Sequence, residues 1–457
     1  MYENGMTDRD AGEHTASLCP HCLTKIPAWR IHQEEQVILV KQCPKHGEFR
    51  TPVWQGSPSF ENWSRPKEAV QIGRYHPTTT QGCPFDCGIC PEHKQQSCTV
   101  LIEVTSRCNL SCRYCFANAG NDKAPDPMLS SLAARFSSAF AASGPQNIVQ
   151  LSGGEPTVRD DLPAIIALAR STGFPFIQLN SNGLRLATQP EYARELKEAG
   201  LFSVFLQFDG THDEIYRTIR GEPLLQKKLL AIKHCAAAGI GIVLVPTLVP
   251  GVNTNDIGAI LNFALERGPA IRGVHFQPVS YFGRHPRQPE AEERLTLPEV
   301  MQAIERQTNG VFRAEQFRPP GCEHPLCSFH GNFLRLPDGG VKPLTSHTTG
   351  GCCTTPEPAG KGTGKAVSFV TSQWAAPETI NTPPTRDALT LDDFLENFRI
   401  NTFAVSAMAF QDVWNLDLER VQECCIHVAA PDGRMIPFCL YNLTSATGKP
   451  LYRSNHA

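Results

Sequence analysis

Three cysteines within eight residues constrain this chain more than any other feature. The stretch EVTSRCNLSCRYCFA, Glu103–Ala117, spaces Cys108, Cys112 and Cys115 as C-x3-C-x2-C and follows an apolar run typical of a strand, Val100–Val104. Three thiolates on one tight loop can each bind one iron of a [4Fe–4S] cluster, whose usual ligands are Cys thiolates. No further Cys follows within the next hundred residues. One iron would therefore stay open to a small chelating ligand.

A zinc knuckle is the alternative interpretation of this array. Zinc sites usually combine two short Cys motifs that lie apart along the chain. The compact trio lacks that arrangement, and we therefore interpret it as an iron–sulfur motif.

Composition limits the classes of function. The chain has 457 residues, enough for more than one domain, and a formal net charge of −3. This charge indicates neither a nucleic acid nor an anionic membrane surface as partner. The chain has no apolar run of about 18 residues, so we expect no membrane-spanning helix. It also has no charged-then-apolar amino terminus, so we expect no signal peptide. The 18 Cys fall mostly in tight spacings, which indicates metal ligands in a reducing, cytoplasmic compartment rather than disulfides.

Two motifs together resemble a known superfamily. An aromatic residue, Tyr114, precedes the last Cys of the array, and one strand–helix unit later the chain reads SGGEP at Ser152–Pro156. This combination resembles the radical S-adenosylmethionine (radical SAM) superfamily. The resemblance implies that SAM chelates the open iron. It also implies that the reduced cluster cleaves SAM to a 5′-deoxyadenosyl radical, which abstracts a hydrogen atom from a substrate.

The resemblance also assigns positions that bind SAM and substrate. Gly153 and Gly154 would let the backbone approach the ligand closely, and Glu155 would accept a hydrogen bond from the SAM ammonium group. Polar residues at later strand ends are expected at the mouth of the site, with ordinary turn chemistry or a structural hydrogen bond as the alternative. The residues assigned to SAM are Ser181, Asn182 and Asp209. Those assigned to the substrate are His275 and Gln277.

The amino-terminal region carries a separate metal motif. CPHC and CPKHG flank two short strand-like runs that turn at Glu34–Glu35. Two ligand pairs at the ends of a hairpin predict a tetrahedral site for one Zn or Fe ion. The expected ligands are Cys19, Cys22, Cys43 and His46. The alternative for His46 is a surface position beside a three-Cys site.

A second Cys array lies just upstream of the first. GCPFDCGICPEHKQQSC has the spacing C-x3-C-x2-C-x7-C, which supplies four thiolates and can close a cluster without SAM. Its predicted ligands are Cys83, Cys87, Cys90 and Cys98. This segment narrows the resemblance to the archaeal tetraether lipid synthases and to the related radical SAM methylases that alkylate a pterin precursor.

The tail of the chain is expected to bind a third cluster, mainly because the tails of those relatives resemble it. The predicted ligands are Cys322, Cys327, Cys425 and Cys439. The duplicated pairs Cys352–Cys353 and Cys424–Cys425 leave this assignment open. Cys235, inside an apparent helix, is expected to be a small buried hydrophobic residue.

Apolar strands alternate with amphipathic helices from Val100 to about Pro278. Six strands with five intervening helices imply parallel pairing through right-handed crossovers. The fold class is therefore α/β, a partial (β/α)6 barrel of the radical SAM type, with ligand groups at the carboxyl ends of the strands. The predicted strands are Val100–Val104, Ile148–Leu151, Phe176–Leu179, Ser203–Gln207, Ile240–Val245 and Val274–Gln277.

Five regions are predicted. They are a disordered lead-in (1–16), the metal knuckle and its connector (17–77), the segment of the second Cys array (78–99), the core barrel (100–285) and a carboxyl-terminal cluster region (286–457). In the last of these regions, Leu391–Met408 is expected to be an apolar helix. Such a helix would line a channel for a lipid or simply pack in the core.

The leading functional hypothesis is a radical SAM enzyme with SAM, three [4Fe–4S] clusters and one Zn or Fe ion. It would alkylate or couple an unactivated carbon of a lipid or a pterin-like small molecule. Implied partners are that substrate and an electron donor such as flavodoxin or ferredoxin, with no nucleic acid and no integral membrane segment. The expected location is cytoplasmic, and peripheral to the membrane if the substrate is a lipid.

Two other functions are alternatives. A radical SAM peptide maturase would carry a dense C-x2-C-x5-C run in its tail, which is absent between Cys322 and Cys439. A non-catalytic iron–sulfur electron-transfer protein would have no need of the SGGEP motif.

Overall fold

The structure, a computed structural model, describes most of the chain. The described residues are 12–63, 67–68, 80–120, 125–144, 147–290, 293–345, 357–358, 371, 373–377 and 398–453. Cys352 and Cys353, the first part of the predicted lead-in and much of the predicted connector lie outside them.

Four antiparallel strands, in the order β1-β2-β3-β4, form the amino-terminal sheet. They are β1 (Glu13–Leu18), β2 (Lys25–Gln33), β3 (Gln36–Cys43) and β4 (Gly47–Gln55). The turn between β2 and β3 lies at the predicted position. Strand β1 contradicts the predicted lead-in at residues 13–16, because its backbone pairs with β2 and Thr15 donates to the buried Asp417 carboxylate at 2.7 Å.

A second, larger sheet contains all six predicted core strands, which are parallel to one another. A short strand, β5 (Lys67–Glu68), precedes them. The core strands are β6 (Thr99–Thr105), β7 (Ile148–Gly153), β8 (Phe176–Ser181), β9 (Ser203–Gln207), β10 (Gly241–Val245) and β12 (Ile271–Pro278), with β11 (Thr247–Leu248) beside β12.

Helices connect these strands and cover the sheet. They are α1 (Leu129–Ser143), α2 (Leu162–Thr172), α3 (Leu184–Thr188), α4 (Pro190–Ala199), α5 (Asp213–Arg220), α6 (Leu225–Ala237), α7 (Ile257–Glu266) and α8 (Leu297–Gln307). In α2, Pro163 occupies the first turn, where its missing N–H costs nothing, and Ile165 and Ile166 are fully buried. Gly173, with φ of 111°, ends the helix in the left-handed conformation.

The carboxyl-terminal region extends both edges of the large sheet. Its elements are β13 (Ser328–Arg335), β14 (Val341–Pro343), β15 (Glu357–Pro358, paired with β5), β16 (Thr402–Met408), α9 (Leu418–Gln422), β17 (Ile426–Ala429), β18 (Met435–Pro437) and α10 (Phe438–Asn442). Strand β16 is parallel to β12, and β17 is parallel to β6. Within the described residues, the parallel run therefore has eight strands, not six, and the region after 285 is continuous with the barrel.

Strand β16 also corrects the predicted helix at Leu391–Met408. Residues 402–408 form a strand between β12 and β13, and most of them are buried. A strand covered on both faces has no alternation of polar residues, and a short apolar run is then compatible with either helix or strand. Residues 391–397 lie outside the described residues.

Wherever the structure describes the chain, its helices are too short or too polar to cross a membrane.

Candidate iron–sulfur and metal centres

The loop with Cys108, Cys112 and Cys115 lies directly after the carboxyl end of β6. Two arginines from elsewhere in the barrel bind its backbone. Arg284 donates from Nε to the Cys112 carbonyl at 2.7 Å and exchanges two backbone hydrogen bonds with Cys115. Arg220 donates from Nη1 to the carbonyl of the residue before Cys115 at 3.1 Å. The loop is therefore fixed by protein contacts on two sides.

The Cys115 thiol lies close enough to Cys108 and Cys112 to contribute to the raised pKa of both. Burial raises the pKa of the Cys108 thiol to about 12. Burial also raises the pKa of Cys112, and the adjacent Arg220 guanidinium opposes that shift. A metal ligand must be a thiolate, so metal binding here has to displace protons. A trio of partly buried thiols on one loop fits the iron–sulfur cluster predicted for it.

The two glycines of the SGGEP motif lie against the cluster loop. A Cβ on Gly153 would lie 2.2 Å from the Thr105 carbonyl oxygen, and one on Gly154 would lie 2.1 Å from that of Arg107. Gly153 also has φ of 118°, a conformation that favours glycine. Both glycines thus allow a close approach to the backbone of the loop itself. Their predicted approach to a bound ligand stays a prediction.

Glu155 is buried, with 2% of its surface exposed, and its carboxylate accepts four hydrogen bonds from protein groups. The donors are the Thr157 N–H and hydroxyl at 3.1 and 2.6 Å, the Ser181 hydroxyl at 2.9 Å and the Asn182 N–H at 2.6 Å. Burial raises the pKa of Glu155, and these hydrogen bonds oppose the shift. Glu155 thus ties the end of β7 to the end of β8, and its contact with SAM stays a prediction.

Asp209, predicted to contact SAM, is paired with Arg220. Both carboxylate oxygens lie 2.7 Å from the guanidinium, and the two side chains are 0% and 5% exposed. Burial disfavours the cation, but the Asp209 charge raises the pKa of Arg220 above its ordinary value. The pair lies behind the cluster loop, since Arg220 also contacts Cys112. Asp209 therefore holds Arg220 against the loop, and its contact with SAM stays a prediction.

Arg220 and Arg284 are not among the residues predicted for the site. Both follow core strands at the end of the barrel where the cluster loop lies. A search for basic residues near the carboxyl ends of the strands would have selected them, but nothing in their spacing relates them to the Cys array.

The two residues assigned to the substrate are on β12. His275 Nδ1 lies 2.9 Å from the Ser406 hydroxyl of β16, and its ring stacks on Phe205 with centroids 5.5 Å apart. Burial lowers the pKa of His275 to about 4. Gln277 is half-buried, and its N–H donates to the Pro246 carbonyl at 2.9 Å. His275 therefore links the core to a carboxyl-terminal strand.

The predicted ligands of the amino-terminal knuckle come together. One donor atom from each of Cys19, Cys22, Cys43 and His46 lies within 4.8 Å of all the others. His46 Nδ1 is 3.3 Å from the Cys19 sulfur and 3.5 Å from the Cys43 sulfur. Three thiols and one imidazole fit the nitrogen and sulfur ligands of a tetrahedral zinc site.

The remaining cysteines are grouped differently from the two predicted four-Cys arrays. Cys98, Cys322 and Cys425 have their sulfurs within 4.8 Å of one another, so the structure separates Cys98 from the array that begins at Cys83. Cys83 and Cys87 share a side-chain hydrogen bond, and Cys90 interacts with Cys83. A cavity of about 30 Å³ is lined in part by Cys327, Cys424, Cys425 and Cys439. Pairing between distant strands, not spacing along the chain, brings Cys98 to Cys425. The assignment of the other predicted cluster ligands stays a prediction.

Two family models match the chain. Residues 102–264 match that of the radical SAM superfamily, and residues 12–55 match that of the HMPTM N-terminal zinc ribbon domain. The first covers most of the core barrel and the second covers the amino-terminal sheet.

Similar proteins include a full-length relative. The chain is 35% identical to the 7,8-dihydro-6-hydroxymethylpterin dimethyltransferase of Methanocaldococcus jannaschii, over 94% of this chain and 93% of that protein. It is 30% identical to the probable GTP 3′,8-cyclase of Methanothermobacter marburgensis, over 39% of this chain and 58% of that protein. Among solved structures, Streptococcus suis SuiB bound to S-adenosylmethionine aligns with a TM-score of 0.40 and 13% identity, over 48% of each chain.

Proposed function

Because the chain belongs to the radical SAM superfamily and is a radical SAM enzyme, we propose that it methylates a carbon atom of a small pterin-like substrate. The observation that carries this proposal is the 35% identity to a named pterin dimethyltransferase over 94% of the chain. That match includes the zinc ribbon and the carboxyl-terminal strands as well as the barrel. The proposal therefore rests on more than a fold that many different enzymes share.

Cys108, Cys112 and Cys115 are the residues that we assign to the cluster. When bound and reduced, the cluster supplies the electron that cleaves SAM. Arg220 and Arg284 fix the loop that carries these thiols. A fixed loop supports productive geometry, because a small misplacement of reacting groups is costly in rate.

Glu155 and Asp209 are the two buried carboxylates beside this loop, and we propose a different role for each. Asp209 is fully paired with Arg220 and positions the loop. Glu155 lies at the junction of β7 and β8, where we propose that it acts on the SAM ammonium group, either directly or by fixing Ser181 and Asn182.

His275 and Gln277 are the residues that we propose for the substrate. With its pKa lowered to about 4, His275 is neutral near pH 7. A neutral imidazole beside the Phe205 ring offers a hydrogen-bonding group and a flat apolar surface. These properties suit an uncharged heterocycle better than an anionic ligand.

The structure removes one argument for a lipid substrate. The apolar segment was predicted to be a helix that lines a lipid channel or packs in the core, but residues 402–408 form a strand inside the sheet. The pterin-like substrate is favoured because the full-length relative carries such a substrate in its name.

We also propose that the enzyme has iron–sulfur centres beyond the one that binds SAM, and that a flavodoxin or ferredoxin reduces it. The support is the number of thiols that remain after the loop and the ribbon are assigned. Three of them share the short segment Cys83–Cys90, and four more line one cavity. The total of three clusters stays a proposal.

Anaerobic turnover tests the reaction. Reconstituted protein is incubated with SAM, dithionite and 7,8-dihydro-6-hydroxymethylpterin, and the products are separated and weighed by mass spectrometry. We expect one SAM to yield 5′-deoxyadenosine and methionine, and a further SAM to donate each methyl group and leave as S-adenosylhomocysteine. The pterin should gain one or two methyl groups, and Cys108→Ala should form none of these products. Formation of 5′-deoxyadenosine without any methylated pterin would refute the substrate and leave the superfamily assignment intact.

A further inference from the structure

Cys98, Cys322 and Cys425 are far apart in sequence but share one site. Their sulfurs lie within 4.8 Å of one another, and those of Cys98 and Cys425 are 3.0 Å apart. Cys322 and Cys425 are buried, and Cys98 is partly buried. The carboxylate of Glu323 is adjacent, with Oε2 3.6 Å from the Cys425 sulfur.

The register of the sheet produces this arrangement. Strands β6 and β17 are parallel, and Thr99 pairs with Ile426. Cys98 and Cys425 therefore each precede the first residue of a strand, and the Cys98 N–H donates to the Cys425 carbonyl at 2.8 Å. Cys322 is joined to the same place by Gln95, whose amide donates to the Cys322 carbonyl at 2.7 Å.

A buried polar network supports the backbone on both sides of these thiols. The Ser97 hydroxyl lies 2.8 Å from His427 Nδ1, and His427 Nε2 lies 3.2 Å from His93 Nε2. His93 in turn lies 2.8 Å from the Cys424 carbonyl. Ser97 and Cys424 are the residues directly before Cys98 and Cys425. Groups that orient ligands through hydrogen bonds are a regular part of metal sites.

The spacing of the three sulfurs matches that of the zinc ribbon. The ribbon's four donor atoms also lie within 4.8 Å of one another. Thiolates that share one metal ion at about 2.3 Å each can be at most about 4.6 Å apart. Three thiols at about this separation, two of them buried and with a carboxylate beside them, are suitable ligands for one shared centre.

We propose that Cys98, Cys322 and Cys425 bind one metal centre through their thiolates, separate from both the Cys83 array and the SAM cluster, with the Glu323 carboxylate as the fourth donor. This centre joins the start of β6, the start of β17 and the segment before β13. The metal therefore cross-links the barrel to its carboxyl-terminal strands.

The position of the centre distinguishes it from the radical site. Cys98 precedes β6 and Cys108 follows it, so the seven residues of that strand lie between them. At about 3.3 Å per residue, the strand spans roughly 20 Å. The proposal concerns metal binding alone, and it holds or fails independently of the substrate proposed above.

Metal analysis of single and double variants tests the shared centre. The full chain is purified without oxygen, and zinc, iron and acid-labile sulfide are counted for Cys98→Ala, Cys322→Ala, Cys425→Ala and Cys98→Ala/Cys425→Ala. We expect the same loss from every variant, with the double variant losing no more than a single one. Cys83→Ala/Cys98→Ala should lose more than either single variant, because two centres are affected. The sulfide count tells whether the shared centre is one ion or a cluster, and either result supports it.

Cys235→Ala is the matched control, because Cys235 is a buried thiol of α6 within the apolar core, as expected, and should lose no metal. Circular dichroism and the metal content of the zinc ribbon report whether each variant folds. If Cys98→Ala does not fold, Cys98→Ser is used in its place. The proposal is overturned if Cys98→Ala and Cys83→Ala remove the same metal without additivity, or if the variants lose none. A Cys98–Cys425 disulfide in the anaerobic protein would overturn it as well.

Discussion

The Cys108 loop and the Cys98–Cys322–Cys425 group both bring three thiols together, but the chain builds them in opposite ways. The loop takes its three cysteines from eight consecutive residues after one strand. The group takes them from three segments, two of which are 327 positions apart. Spacing along the chain identifies the first kind of site, whereas only the pairing of strands identifies the second.

The largest expected effect separates the two sites by function. Cys108→Ala should remove about four irons, one [4Fe–4S] cluster, and reduce SAM cleavage to the background of the assay. The metal of the ribbon and of the Cys98 group should remain, because neither shares a ligand with the loop. Iron, zinc and 5′-deoxyadenosine are measured on the same preparation. SAM cleavage by this variant at an appreciable rate would place the SAM cluster elsewhere in the chain.

The next largest effect tests whether tertiary contacts fix the contiguous loop. Asp209→Asn removes the charge that compensates Arg220, and both side chains are almost fully buried. Breaking a buried pair in this way typically costs about 3–5 kcal/mol. We expect a loss of that size in the free energy of unfolding, measured by denaturant titration, together with a lower rate of SAM cleavage.

An exposed ion pair on α5 gives the matched control. Glu214 and Arg217 are 2.9 Å apart, and their side chains are 80% and 53% exposed. Glu214→Gln should change the free energy of unfolding by less than about 1 kcal/mol. If Asp209→Asn is as mild as this control, the buried pair does not position the loop.

A smaller effect is expected at the junction of β7 and β8. Glu155→Gln replaces a carboxylate that accepts four hydrogen bonds with an amide that has only one acceptor oxygen. Because hydrogen bonds to charged groups contribute about 1.5–3 kcal/mol, we expect a loss of about 2–3 kcal/mol in stability. Iron content should be normal, and SAM binding, measured by equilibrium dialysis, should be weaker.

Ser181→Ala separates the two roles proposed for Glu155. It removes one donor to the carboxylate but keeps the charge. Retained SAM affinity in Ser181→Ala would indicate direct contact between Glu155 and SAM, whereas a parallel loss would indicate positioning. SAM cleavage by Glu155→Gln at the parent's rate would exclude Glu155 from the SAM site.

The smallest effect concerns the link between the core and β16. Burial lowers the pKa of His275 to about 4, from about 6.5 in an unfolded chain. Between these values the unfolded chain binds a proton that the folded protein does not, so stability falls as the pH falls through this range. Between pH 7 and pH 5 we expect His275 to account for a loss of about 2 kcal/mol.

The difference between the parent and His275→Gln isolates this contribution from other groups that titrate. Unfolding is measured for both proteins at pH 7, 6 and 5, and the parent should lose more stability than the variant. Parallel curves would mean that His275 takes up its proton in the folded protein without penalty.

The six core strands and most of their helices could be predicted because each carries its own apolar pattern. Helix α5 was not predicted, because it is short and most of its eight residues, DEIYRTIR, are polar. It nevertheless buries Tyr216 and carries Arg220 to the cluster loop. The protein contacts of Asp209 and of the two glycines could not be predicted for a related reason, and their contacts with SAM stay predictions. Their partners, Arg220 and the backbone of residues 105–107, come from other segments of the chain.

By itself, the sequence determined the parts of this protein whose physical basis is local. The Cys108 array, the ligand pairs of the ribbon and the alternation of strands and helices all depend on residues a few positions apart. Tertiary structure decided that residues 402–408 extend the sheet, that Asp209 pairs with Arg220, and that Cys98 joins Cys425. The reason is that hydrogen-bonded pairing of strands sets which distant residues become neighbours, and one residue of register changes every contact along a strand.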